Sequence, residues 1–179
     1  PDLLALKAGQ LTWSVNDGQG NFNSFSTTGT GVCSPEDFDT LDANGDGWLD
    51  VAFCERFGCS NVRVGLILND GAGGFLAPWT ISDSTVVGAN RLRTGDFDGD
   101  GLTDVLTGHN DAFMVWRGKG DGTLHAGFWS STGGAGTLDM EVADFDNDGD
   151  LDVAAVTWGS GFEGEMLAIH PGWGDGTFQ

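Results

Sequence analysis

The 179-residue sequence has no Tyr, only 7 Lys and Arg together, 3 His and 3 Cys. It also lacks any apolar run near the roughly 20 residues that a membrane-spanning helix requires, so membrane insertion is not expected. The shortage of cations excludes nucleic acid as a partner, because that affinity comes from Lys and Arg displacing counterions from phosphates. With 27 Asp and Glu the formal net charge is −20, which also argues against docking on anionic lipid. Three cysteines cannot close into a complete disulfide framework. One disulfide is expected, with Cys54 and Cys59 able to close a small loop and Cys33 able to compete for either partner. Zinc is excluded by that spacing and by His109, His125 and His170, which show no paired ligand pattern. No signal-like apolar segment and no initiator Met stand at the start, so a processed or trimmed form is expected.

What is present is glycine and carboxylate. There are 31 Gly, more than twice the roughly 7% of an average chain. Since 39% of the residues are hydrophobic, the glycines signal tight turns rather than disorder. The acidic residues crowd into three clusters: Asp42-Ala43-Asn44-Gly45-Asp46-Gly47-Trp48-Leu49-Asp50, Asp96 to Asp104, and Asp144 to Asp152. They start 54 and 48 residues apart. A second motif recurs out of phase, a Gly-rich turn ending in Phe or Leu, at 16–22, 69–75, 118–124 and 172–178. Two motifs sharing one period of about 50 residues make a repeat protein.

The segments between the motifs read as strands. Leu49–Cys54, Leu102–Thr107 and Leu151–Thr157 follow the acidic loops. Val62–Leu68, Phe113–Arg117 and Met166–His170 run into the Gly-rich turns. All are short, apolar and bounded by Gly, Asn or Asp, and none shows a helical period. Each unit therefore has four strands, A to D, with the acidic loop between A and B and the Gly-rich turn between C and D. The expected fold is an all-β propeller of four-stranded antiparallel blades. Its units are approximately 1–30, 31–84, 85–132 and 133–179, about three and a half blades, either part of a ring or a ring completed by oligomerisation.

In D-x-[DN]-x-D-G-x-x-D the side chains at positions 1, 3, 5 and 9 can turn inwards around a tight loop. Those residues are Asp42, Asn44, Asp46 and Asp50; Asp96, Asp98, Asp100 and Asp104; and Asp144, Asp146, Asp148 and Asp152. The carbonyls of Trp48, Leu102 and Asp150 at position 7 are further donors. Calcium takes 6–8 such hard oxygens in irregular geometry, so about three Ca2+ ions are expected; magnesium, which prefers an octahedron and its own waters, is disfavoured. An EF-hand would place Glu at position 12 between helices, whereas Phe53, Thr107 and Ala155 stand there between strands.

These residues resemble the FG-GAP/VCBS repeats of integrin-type propellers, in Asp42–Ala52, Asp96–Leu106 and Asp144–Val156 and in the recurring turn before Phe or Leu. The resemblance implies calcium in each A–B hairpin, a ring of six to eight blades, and a secreted or cell-surface location. The sequence departs from the pattern at both ends. The first unit lacks its acidic loop, with Asp2 at the ninth position, and the last stops at Gln179 as its fourth strand starts.

Strand alternation puts the calcium loops and Gly-rich turns on one face, and the longer B–C and D–A loops on the other. Loops on a rigid scaffold concentrate binding residues. On the second face Trp79, Trp129, Trp158, Arg56, His109 and Asn110 are candidate ligand contacts, since an exposed indole beside polar groups suits a sugar ring. Core packing competes strongly with that role for Trp79 and Trp129, and ordinary loop roles compete for Arg56, His109 and Asn110. Three functions follow. The first is a calcium-stabilised extracellular module that binds glycans or proteins. The second is a structural repeat of a large surface protein or appendage. The third is a polysaccharide lyase, which the missing Tyr and scarce Lys, Arg and His disfavour.

Overall fold

The computed structural model describes residues 2–31, 34–55, 62–83, 88–110, 112–131, 135–158 and 164–179. Among them the chain forms four antiparallel sheets and no helix. The first sheet is β1 (Leu3–Lys7), β2 (Gln10–Ser14) and β3 (Ser26–Gly29). The second runs in order β4 (Pro35–Leu41), β5 (Asp50–Glu55), β6 (Val62–Ile67) and β7 (Trp79–Asp83). The third is β8 (Arg91–Gly95), β9 (Asp104–Gly108), β10 (Ala112–Trp116) and β11 (Phe128–Ser131). The fourth is β12 (Ala135–Ala143), β13 (Asp152–Trp158) and β14 (Glu165–His170). The all-β, blade-like fold expected from the repeat is present as this set of up-and-down sheets; no closed ring is seen. The first sheet starts at its B strand and the last ends with C, followed by the isolated bridge Gly172–Phe178.

The sheets stack face against face. In a B strand alternate residues serve opposite neighbours, as the two-residue period of a strand dictates. Val51 and Phe53 pack with Leu11 of the first sheet, while Ala52 and Cys54 pack with Leu92, Val105 and Trp116 of the third. The third seam repeats the arrangement, with Phe97, Leu106, Phe113 and Val115 against Met140, Val153, Ala155 and Phe178. The corresponding outer face of the fourth sheet leaves Phe145, Leu167 and Ile169 exposed. Innermost strand β8 lies between β4 and β12, so the sheets converge at their A strands.

At that convergence lies a ladder of charge that sequence reasoning missed. Arg93 donates to Asp37 at 3.3 Å and to Glu141 at 2.9 Å, and Arg91 meets Asp139 at 3.3 Å. Asp37 and Asp39 also accept the backbone N–H groups of Leu92 and Thr94. The ladder sets blade-to-blade register at the inner edge, where the seams carry fewer apolar atoms.

Two departures concern the D strands and the cysteines. Trp79 opens β7 and Trp129 is the second residue of β11, so both stand at the starts of their D strands and the D–A connections begin only after Asp83 and Ser131. Cys54 takes no part in the expected disulfide: it is a buried free thiol inside β5, and burial raises its pKa. Cys33 and Cys59 lie outside the described residues.

Glycine is required where the C–D turn passes its own acidic loop. A Cβ on Gly118 would stand 2.4 Å from the Thr103 carbonyl oxygen, and one on Gly172 would stand 2.3 Å from that of Leu151. Gly118→Ala should therefore lower stability by about 2 kcal/mol or more in denaturant unfolding, because the obstacle is backbone and cannot rotate away. An alanine variant as stable as the parent would show that the turn can shift freely.

Candidate metal centres and an inter-blade cleft

The three acidic loops have one construction. Position 1 accepts from the backbone at both oxygens: Asp42 from Gly45 and Gly47, Asp96 from Gly99 and Gly101, and Asp144 from Asn147 and Gly149. Position 4 has φ of 74°, 73° and 65° at Gly45, Gly99 and Asn147, the left-handed region that Gly and Asn tolerate best. Position 3 (Asn44, Asp98, Asp146) accepts from the N–H of position 5, and position 5 (Asp46, Asp100, Asp148) from that of position 7. The chain thus winds around its own carboxylates.

That winding gathers negative charge. Oxygens of Asp96, Asp98 and Asp104 lie within 4.8 Å of one another, and so do those of Asp144, Asp146 and Asp148. In the first loop Asn44 replaces a carboxylate and its amide donates to Asp46 at 2.9 Å. Desolvation raises the Asp146 carboxyl above its ordinary pKa, and the charges of Asp148, Asp152 and Asp144 add to the effect. Arg117 relieves the middle loop in part, donating to Asp98 at 3.1 Å while its guanidinium lies over Phe128. The donor set is hard oxygen on a flexible loop and fits calcium. At position 7 the side chains of Trp48, Leu102 and Asp150 lie over Gly71, Gly120 and Gly174 of the adjacent turn.

Position 9 does more than the sequence suggests. Asp50, Asp104 and Asp152 are fully buried at the start of their B strands. One oxygen accepts from position 2 of the acidic loop, at Ala43, Phe97 and Phe145. The other accepts from the first residue of the Gly-rich turn, at Asn69, Gly118 and Gly172. Asp2 makes the same bond to Asn16. Each aspartate is therefore a clip between the two hairpins of one blade. Desolvation pushes the Asp104 carboxyl up to about 6 and raises that of Asp50. A second tie crosses the seams, where Gly122 donates to the Ala43 carbonyl and Gly176 to that of Phe97.

The opposite face carries a cleft of about 240 Å3 lined by Glu36, Asn90, Arg91, Asn110, Gly136, Thr137, Leu138 and Trp158. Of the six candidate ligand contacts it brings together Asn110 and Trp158. His109 is buried, bonded through Nε2 to Thr107 at 2.8 Å and stacked near Trp129. Trp79 packs on the core between the second and third sheets. Trp129 is half-exposed on β11, and Arg56 lies outside the described residues. Sequence reasoning missed Glu36 and Asn90, although both stand six residues before an acidic loop, a repeat position that could have singled them out. The cleft exists because β12 is bulged near Thr137, which lets the His109 and Asn110 carbonyls accept from Thr137 and Gly136.

Sheets of one repeating hairpin pair, three of the four carrying a carboxylate-lined loop, define a class of acidic-loop repeat protein. Residues 42–107 and 96–155 match the model of the FG-GAP-like repeat, together more than half the chain, and the chain belongs to that family. No curated protein matches it. Among solved structures it is similar to an Agrocybe aegerita lectin described as recognising non-reducing terminal N-acetylglucosamine, with a TM-score of 0.45 and 16% identity. The match covers 99% of this chain and 61% of the lectin, so this chain spans about three fifths of that length.

Proposed function

We propose that the chain is a calcium-stabilised propeller module, extracellular or at a cell surface, that binds a glycan or protein ligand on the face opposite its metal loops. The observation that carries the reading is the threefold repetition of one loop, in which the backbone holds carboxylates close together with little cation to offset them. Calcium bound there would neutralise the loops and supply rigidity; it has no part in chemistry on a ligand. The position 1, 3 and 5 side chains would hold the three ions, with the position 9 aspartates and position 7 carbonyls beneath them. For the lyase reading the best-placed imidazole, His109, is buried and bonded to Thr107.

The exposed Phe145, Leu167 and Ile169 are the positions that the other seams cover, so a further blade of the parent protein or a second copy of the chain would complete this face. Glycan and matrix-protein arrays probed with calcium-loaded protein test the reading. Saturable binding that EGTA abolishes is expected, and binding to neither surface would favour a purely structural repeat.

A further inference from the structure

We infer that the cleft between the second, third and fourth sheets seats one uncharged pyranose, an inference that deepens the binding role proposed above and rests on it. Its size comes first. At about 240 Å3 it is smaller than the roughly 300–1,000 Å3 of drug-sized sites, which suits a single sugar ring better than a chain or a peptide loop.

The walls are of two kinds. Trp158 is 53% exposed, and its indole edge lies against Gly136, where a Cβ would stand 3.2 Å from the ring. Gly136 has a φ of 88°, so the close approach and the backbone conformation both call for glycine. The indole is thus set against the cleft with a face free to cover the apolar C–H side of a pyranose. In the same lining, the side-chain amides of Asn90 and Asn110 make no hydrogen bond among the described residues, while their carbonyls are tied to Arg91 and Gly136. Each amide offers two donors and an acceptor, the complement of neighbouring hydroxyls.

Charge decides which sugar. Arg91 already holds Asp139 at 3.3 Å and the Asn90 carbonyl at 2.7 Å, and Arg93 is spread over Asp37 and Glu141. Both guanidiniums are already charge-paired, so a uronate or sialate carboxylate would have to compete with Asp139, Asp37 and Glu141, and a protein of charge −20 repels anions at longer range. A cationic ligand would want several carboxylates in the lining, and Glu36 is the single acidic residue there among the described residues.

Calorimetric titration of the calcium-loaded protein tests this with methyl glucopyranoside, methyl galactopyranoside, N-acetylglucosamine, glucuronate and hexalysine. At least one uncharged sugar should bind saturably and glucuronate should not. Trp158→Ala should weaken that binding about tenfold or more, Asn90→Ala should also weaken it, and Trp158→Phe should keep most of it. All three variants should keep the parent melting temperature, since Trp158 is exposed and the half-buried Asn90 amide makes no hydrogen bond among the described residues. Glucuronate binding as tight as that of the neutral sugars, hexalysine binding that depends on Trp158, or no sugar binding at all would overturn the inference. Array binding that survives Trp158→Ala would overturn it too, yet leave the module's binding role standing; a parent protein silent on every array would remove both.

Discussion

Calcium added to the metal-stripped protein is expected to raise its melting temperature by about 15 °C or more. Binding to the folded state alone contributes about 2.7 kcal/mol per site at a hundredfold excess over Kd, and three independent loops add to about 8 kcal/mol. For a chain of this size each kcal/mol moves the midpoint by about 2–4 °C. The stripped protein should also respond to acid with the opposite sign from a protein held by salt bridges. Desolvation, assisted by Asp98 and Asp100, pushes Asp104 up to about 6, and Asp50 and Asp146 are raised as well. A raised carboxyl binds its proton more tightly when folded than when unfolded, so ionisation costs stability. That cost is absent below the ordinary carboxylate range, grows as pH climbs to about 6, and is complete above it. Lowering the pH from 7 to about 5 in EGTA should therefore raise the melting temperature. A midpoint that ignores calcium would remove the metal reading, and one that falls on acidification would remove the account of the crowded carboxylates.

Asp104→Ala and Asp100→Ala should fail in different ways. Asp104 is buried and accepts from Phe97 and Gly118, so alanine strands two backbone N–H groups. Each costs about 1–3 kcal/mol when left unpaired, giving a loss of about 2–6 kcal/mol with or without calcium. Asp100 is exposed and accepts from Leu102, whose N–H can turn to water instead. Its loss should lower stability only when calcium is present, while the other two loops still bind. Urea unfolding of both variants in calcium and in EGTA separates the roles. Equal destabilisation in EGTA would mean that position 9 is only one more metal ligand and not a clip.

That double role explains what could be seen in the sequence and what could not. The acidic register, the Gly-rich turns and the B and C strands were legible because each rests on local chemistry, either a left-handed backbone or a short apolar run. The D strands were less legible, because the turn at Asn69–Phe75 closes with a single bridge and β7 pairs only from Trp79 onward. The cleft was half legible. Trp158 and Asn110 stand in loops that any reader would inspect, whereas Asn90 and Glu36 reach it only because neighbouring sheets converge and β12 bulges. His109 looked equally suited, but its ring is taken up by Thr107. The Arg91 and Arg93 ladder was invisible for the same reason, since its partners are 48 to 56 residues away in sequence.

The second and third seams use the same positions, including the carbonyls of Ala43 and Phe97 that receive Gly122 and Gly176. A unit of about fifty residues gained by duplication would meet familiar surfaces on both sides, and one lost by deletion would bring together two that already match. Such a molecule can change its number of sheets in whole steps over evolutionary time without a new interface having to be invented.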